Sequence, residues 1–289
     1  MPIHEFDLIR WIRRHAGTGK GVLVGIGDDC AVLDPGEGKL LAKSDAVVAG
    51  VDFTPDARPR LVGRKAANVN FSDIASMGGR PKFLLATLCL PPHLPRGWAQ
   101  DVVRGIVDGC RGAGAVLIGG DLSATSGPAV IAVTALGVAD NPVLRSGARP
   151  GDAIGVTGPC GGSILGRHLT FRPRIALGLK LAAIATSMID ISDGLTADLD
   201  HILDESRVGA RIESRRIPIH RDARRLSKKS RRTALDHALT DGEDFELLFT
   251  TPEKLFPRWA TRIGTITRRR GLTLDGKAIE PRGYEHILG

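Results

Sequence analysis

Residues 188–202 read MIDISDGLTADLDHI. An apolar run, Ser187–Ile191, carries an acid at Asp190 and passes at once into Ser192-Asp193-Gly194. A helical pattern follows, from Ser192 to about Glu205. A strand, a tight turn and a helix in immediate succession are the unit from which α/β domains are built. The acids at this junction admit two readings. A helix N-cap accounts for Ser192 or Asp193. It does not account for the acid that ends the strand, whereas a divalent cation held by hard oxygen ligands accounts for Asp190, Ser192 and Asp193 together.

Outward from this phrase, short acids recur wherever an apolar run breaks. They occur in GIGDDC (25–30), KSDA (43–46), NFSD (70–73) and GGD (119–121). Each phrase alone has an ordinary explanation, such as an Asx turn for GIGDDC, a strand end at Ser44-Asp45 or a solvent-facing helix acid at Asp73. Asp121 is expected at the carboxyl end of a short strand, Val116–Ile118, where ligands sit in open α/β sheets. LTDGEDFEL (239–247) sets Glu243 and Asp244 before an apolar strand, as solvated turn acids or as site residues. If these acids converge, their repulsion has to be offset by divalent cations, and the chemistry is phosphoryl transfer on a nucleotide. The chain lacks the G-x-x-x-x-G-K-[ST] loop, a kinase H-R-D…D-F-G set and a G-x-S-x-G elbow. Metal-bridged carboxylates are therefore the route left for phosphate handling.

The pattern predicts helices over 4–16, Arg60–Met77 (closed by Gly78-Gly79), Pro95–Ala113 and Arg174–Thr186. It predicts strands at Val22–Ile26, Leu40–Ala42, Ala46–Val51, Phe83–Leu90, Val116–Ile118, Ala129–Val138, Ala153–Thr157, Ala210–Glu213, Phe245–Thr250 and Ile263–Ile266. The Pro- and Gly-rich stretch Asp140–Asp152 is the expected boundary between two lobes, 1–140 and 141–289. The expected class is α/β (α+β), with a mixed sheet and helices in the N-terminal lobe and a second α/β lobe behind it.

Composition narrows the partners. The chain has 289 residues, 42% of them apolar, and a net charge of +8. Between Arg207 and Arg232 eleven Lys and Arg stand against two acids. A solvated basic surface, an anion-facing patch and a nucleic-acid contact all fit that stretch. Aromatic residues make up only 4%, which argues against a reader of single strands. Four dispersed cysteines give neither a zinc site nor a disulfide framework. The acid-bearing N-terminal segment is not a signal peptide, and no apolar run approaches 18 residues. A cytoplasmic protein that binds neither membrane nor nucleic acid is expected.

In order and spacing, eight phrases resemble the thiamine-monophosphate kinase family, in the superfamily that includes aminoimidazole ribonucleotide synthetase and selenophosphate synthetase. They are GIGDDCAVL, SDAVVAGVDF, KAANVNFSDIASMGGRP, LIGGDLS, RSGARPGD, VTGPCGGS, MIDISDGLTADLDHI and DGEDFELLFT. The resemblance implies a two-lobe aminoimidazole ribonucleotide synthetase-like fold that dimerises through its N-terminal sheet. It implies ATP as co-substrate, Mg²⁺ as cofactor, and transfer of the γ-phosphoryl group of ATP to the phosphate of thiamine monophosphate. By motif position Asp29, Asp45, Asp73, Asp121, Asp190 and Asp193 would be metal ligands, with Ser44 assisting. Gly120, Arg145 and Ser192 would serve ATP. Glu243 would serve the acceptor. No covalent enzyme nucleophile is required.

Three departures lie on the acceptor side. Asp52 stands where the family usually has His before Phe53. Pro281, in PRGYEHI, stands where an aromatic is usual. The segment Gly166–Pro173 is short. Asp52 and Pro281 are thus substrate-side candidates. A carboxylate at 52 would suit an ammonium group, which raises a second acceptor class, an amine-bearing phosphomonoester. A non-catalytic anion or nucleic-acid binder built on the basic stretch is the reading from another class.

Overall fold

The structure is a computed structural model that describes residues 11, 14–15, 19–24, 32–33, 36 and 38–285, with the backbone alone at 22–24 and 32–33. The GIGDDC phrase, and Asp29 with it, lies outside the described residues, as does most of the segment expected as a helix over 4–16. The chain divides into two compact units, Met1–Ile74 with Gly79–Asp140, and Ala75–Gly78 with Asn141–Gly289.

In the first unit β1 (Val22–Val24) pairs antiparallel with β2 (Val32–Leu33). A four-stranded sheet follows, built from β3 (Lys39–Val48), β4 (Arg80–Leu90), β5 (Val116–Ala124) and β6 (Val130–Ala139) in the order β3-β6-β4-β5. Only β4 and β5 are parallel, as their connection through a helix, α2 (Trp98–Ala113), requires. The other helix, α1 (Pro59–Ser76), touches α2 where Gly63 meets the Val102 carbonyl and Gly105 meets that of Arg60. A Cβ at either glycine would strike backbone, so the two helices can approach this closely only with glycine there. Val62, Phe71, Ile74, Val102 and Ile106 of the helices and Leu84, Leu88, Ile131 and Val133 of the sheet are all buried.

Two expectations need correction here. The runs at 40–42 and 46–51 belong to one strand, β3, so Ser44 and Asp45 lie within it rather than at an end. As the edge strand, β3 leaves Ala42 and Ser44–Ala46 exposed, and polar side chains sit there without interrupting the ladder. β5 likewise runs on through Gly119-Gly120-Asp121 to Ala124, after a one-residue bulge opposite Leu84/Leu85. Asp121 is thus inside the strand, opposite Thr87.

The second unit holds a seven-stranded sheet: β7 (Ala153–Val156), β8 (Ser187–Asp190), β9 (Gly209–Ile212), β10 (Leu247–Thr251), β11 (Thr261–Thr267), β12 (Gly271–Leu274) and β13 (Lys277–Ile279). Its order is β13-β12-β9-β11-β7-β10-β8, antiparallel except for β9 with β12. The helices are α3 (Ile175–Leu181), α4 (Leu195–Ser206), α5 (Arg221–Leu226) and α6 (Ala234–Thr240). Alternation along the strands feeds two cores. Ile189, Leu248, Ile154 and Val156 pack with Leu195, Leu199 and Ile202, whereas Met188, Leu247 and Phe249 pack with Leu181 and Val143. The helix expected over Arg174–Thr186 shortens to α3, and the chain tightens beyond it where the Ile184 N–H turns back three residues to the Leu181 carbonyl. The β12–β13 hairpin carries few apolar residues and so leaves little periodic trace. Its signal is Asp275-Gly276, both at positive φ, as a two-residue hairpin turn demands.

Candidate functional site

β8 is the edge strand of the second sheet and ends at Asp190, which is buried and opposite Leu247. The chain then turns through Ile191–Gly194 into α4, one residue later than an N-cap at Asp193 requires and two later than one at Ser192. Gly194 is the N-cap, and no side chain caps it from that position. The turn is held from three sides. The Glu243 N–H donates to the Ser192 carbonyl (2.6 Å), and the Tyr284 N–H to that of Asp193 (2.9 Å). Asp198, in the first turn of α4, accepts from the N–H groups of Asp193 (3.1 Å) and Gly194 (3.0 Å).

The C-terminal PRGY segment reaches this turn through its backbone. Thr196 Oγ1 donates to the Arg282 carbonyl (2.8 Å) and accepts from the Arg282 N–H (3.2 Å). Pro281 itself is half-buried and Tyr284 exposed.

Three carboxylates crowd here. Burial first, then the charges of Asp190 and Asp193, push the Asp198 carboxyl up to about 8, against the pull of the two N–H groups. Among the described residues, Asp193, Asp198 and His201 each bring a ligand atom within 4.8 Å of one another. Like charges gathered on oxygen donors fit a hard divalent cation such as Mg²⁺.

The segment 241–246 is a clamp on the glycine-rich loop Thr157–Ser163, which corrects the reading of its acids as solvated. Asp244 is buried, accepts from the Gly161 N–H with both oxygens, and pairs with Arg167 at 2.8 Å. Burial outweighs that pairing and raises its carboxyl to about 6. Glu246 takes the Thr157 hydroxyl (2.7 Å) and both ends of the Arg174 guanidinium. Asp241 holds the Gly162 N–H (3.0 Å), Arg232 (3.0 Å) and His237, which continues to Ser230 Oγ (2.7 Å). This Ser-His-Asp chain fixes the loop, since its aspartate is already engaged by Gly162 and Arg232. The same segment also borders the Asp190–Asp193 turn through its backbone: Glu243, at φ +52°, donates to the Ser192 carbonyl, Phe245 donates to that of Ile191 (2.8 Å), and the Ile191 N–H donates to the Glu246 carbonyl (2.8 Å).

In the first unit the candidate acids separate. Register sets Ser44 and Asp121 on one face of the sheet and Asp45 on the other. Asp45 shares Lys43 Nζ with Asp73, at 3.8 and 3.3 Å. Ser44 Oγ meets Thr134 Oγ1 (3.0 Å), and Asp121 accepts from Ser123 Oγ (3.0 Å). Gly120 pairs with Ala86. Arg145 is exposed in the segment after β6, its carbonyl accepting from Ser206 Oγ (3.1 Å).

Asp52 has a local role: its carboxylate accepts the Val48 N–H (2.8 Å), and its carbonyl accepts from the buried Lys65 ammonium (2.6 Å). The basic stretch is partly neutralised by its own neighbours. Arg215 and Arg216 share Glu213, Arg225 pairs with Asp222, and Arg232 with Asp241.

Asp198, Asp241 and Glu246 were not singled out from sequence. The signal for Asp198 was present: Leu195, Asp198, Leu199 and Ile202 share the buried stripe of α4, which sets an acid on an apolar face.

Among the described residues no helix is long and apolar enough to cross a membrane. Residues 27–139 match the AIR synthase related protein, N-terminal domain, family. The thiamine-monophosphate kinase of Rhodopirellula baltica is 41% identical over 306 residues, covering 98% of this chain and 97% of that protein. The same-named protein of Escherichia coli K12 is 38% identical over 88% and 84%. Among solved structures, the thiamine-monophosphate kinase of Stenotrophomonas maltophilia K279a superposes with a TM-score of 0.84 at 33% identity, covering 96% of this chain and 99% of that one. The structure described as AaThiL complexed with AMPPCP and TMP gives 0.83 at 32% identity, covering 98% and 97%. The hydrogenase maturation protein HypE in complex with ATP, at 21% identity and a TM-score of 0.78, shares the fold. A mixed α/β chain whose acids cluster at a strand–turn–helix junction, and which aligns with these relatives over nearly its whole length, belongs to the thiamine-monophosphate kinase family.

Proposed function

We propose that this protein transfers the γ-phosphoryl group of ATP to the phosphate of thiamine monophosphate, giving thiamine diphosphate and ADP. The observation that carries the reading is the Asp190–Asp198 turn, in which buried Asp190 and Asp198 crowd half-buried Asp193 beside the Glu243 backbone, in a chain 41% identical to a thiamine-monophosphate kinase. Both reacting groups are anions, so catalysis is positioning and charge neutralisation, without a covalent enzyme intermediate. Mg²⁺, when bound, supplies that neutralisation. Asp190 and Asp193 would hold such an ion in the second unit; in the first unit Asp45 with Asp73, on one face of the sheet, and Ser44 with Asp121, on the other, are assigned to further ions, and Asp29, outside the described residues, joins them by motif. Gly120, Arg145 and Ser192 are assigned to the nucleotide, and Glu243 and Pro281 to the acceptor. The two lobes would divide as an ATP- and dimer-forming N-terminal part and a C-terminal part with the acceptor segment.

A cytoplasmic homodimer is part of the same reading. Its support is the sheet face of the first unit away from α1 and α2. That face leaves Leu40 57% exposed and Leu85, Ala132, Thr134 and Leu136 half-buried. A partly apolar face of this kind is suited to covering by another copy.

The amine-bearing acceptor rested on Asp52, whose bond to the Val48 N–H gives it a structural reason to be an acid. An assay with ATP, Mg²⁺ and a panel of thiamine monophosphate and aminoalkyl phosphates separates the two. Conversion of thiamine monophosphate with equimolar ADP is expected. Turnover of an aminoalkyl phosphate alone would establish the other acceptor. Salt-sensitive nucleic-acid binding without ATP turnover would establish the binder.

A further inference from the structure

We propose that Asp198 is a positioning residue: its carboxylate builds the turn that presents Asp193 to the cation. Every polar backbone group from the Ser192 carbonyl to that of Gly194 has a named partner. The Ser192 carbonyl takes the Glu243 N–H, the Asp193 N–H goes to Asp198 Oδ2, and the Asp193 carbonyl takes the Tyr284 N–H. The Gly194 N–H goes to the same Oδ2, and the Gly194 carbonyl takes the Asp198 N–H (2.9 Å). Asp198 supplies three of these five bonds from one residue. Helix α4 begins on Gly194 at φ +129°, ψ 145°, a conformation open to glycine and closed to side chains. Gly194 has no side chain to brace the turn, and the Asp198 carboxylate reaches back from the first helical turn to the N–H groups of Asp193 and Gly194, the two residues before the helix.

The residue is 1% exposed. One of its oxygens is engaged by two N–H groups, the arrangement of a group that orients a neighbour. The inference rests on the proposed activity only in taking a divalent cation as what Asp193 serves.

The test compares Asp198→Asn, whose amide oxygen still accepts both N–H groups, with Asp198→Ala, which accepts neither. Two readouts are used on the full chain, Mn²⁺ binding by electron paramagnetic resonance in the presence of ATP and amide hydrogen exchange at residues 193 and 194. Asp198→Ala should lose exchange protection at both amides and weaken Mn²⁺ binding about tenfold or more, the scale of an outer-sphere partner's loss. Asp198→Asn should keep the protection and bind Mn²⁺ within about threefold of wild type. An asparagine variant as impaired in Mn²⁺ binding as the alanine variant, with protection intact, would make Asp198 a ligand and overturn the proposal. So would unchanged protection in the alanine variant. If wild type binds no Mn²⁺, the phosphotransferase reading fails, and the amide exchange still decides the role of Asp198. If the alanine variant does not fold, the asparagine variant decides alone, with retained protection and binding in support and lost binding at normal Tm against.

Discussion

The acids of the first unit and those of the second are answered in different ways. Asp45 and Asp73 share the ammonium of Lys43, Asp121 takes the Ser123 hydroxyl, and all three are at least partly open to water. Asp190, Asp193 and Asp198 crowd a buried turn in which Asp198 is met by backbone N–H groups and by two like charges. A surface acid beside a lysine is tolerated at little free-energy change. Like charges crowded together with two of the three buried, Asp190 and Asp198, are costly unless a cation joins them. The second unit therefore carries the stronger demand for a divalent ion, and substitutions in the two units should separate accordingly.

The largest effect is expected at Asp190. Asp190→Asn should lower turnover with ATP and thiamine monophosphate by about 10²–10³-fold or more, the scale of losing one preorganised electrostatic group. Its far-UV circular dichroism should be unchanged; wild-type turnover would remove Asp190 from the site. Next comes the clamp. Asp244→Ala leaves Arg167 without its buried carboxylate and frees the Gly161 N–H, and should lower the urea-unfolding free energy by about 3–5 kcal/mol. A change under about 1 kcal/mol would mean the two loops are held by other contacts.

A third expectation concerns pH. The folded-state value of Asp198, about 8, lies above that of an unfolded carboxylate. The folded chain thus binds this proton more tightly than the unfolded chain does. The stabilisation is fully present below about pH 4 and is lost as pH rises towards 8. Without divalent cation, this group should lower stability by a few kcal/mol across that window. Thermal melts should show Asp198→Asn removing that part of the fall and raising Tm near pH 8. Identical pH profiles for the two proteins would contradict the crowding.

The smallest effect belongs to the first unit. Lys43→Met breaks two half-exposed ion pairs, at 3.8 and 3.3 Å, and should change stability by less than about 1 kcal/mol. It should also tighten Mn²⁺ binding, because Asp45 and Asp73 lose a competing ammonium. Weaker binding would mean that Lys43 assists the cation.

Much of the fold was legible because apolar periodicity is local. The strand–turn–helix at 187–206, the α2 helix and strands β4, β6, β7 and β11 announce themselves by pattern. β3 reads as two runs because half-buried Lys43 and exposed Ser44 and Asp45 interrupt its apolar pattern, and a period-2 signal vanishes where neither face is buried. The acids of 241–246 looked solvated because their partners, Gly161, Arg167 and Arg174, are more than seventy residues away in sequence. Asp190 and Asp193 are legible in the ISDG phrase, whereas Asp198 is not, because its partners are backbone N–H groups, which no side-chain motif records.

The central claim is the transfer of phosphate to phosphate, and ³¹P NMR of the full chain with ATP, Mg²⁺ and thiamine monophosphate tests it most directly. The monoester resonance should be replaced by the coupled pair of a diphosphate ester while ATP becomes ADP in equal amount. A monoester resonance that persists while ATP is consumed would contradict it.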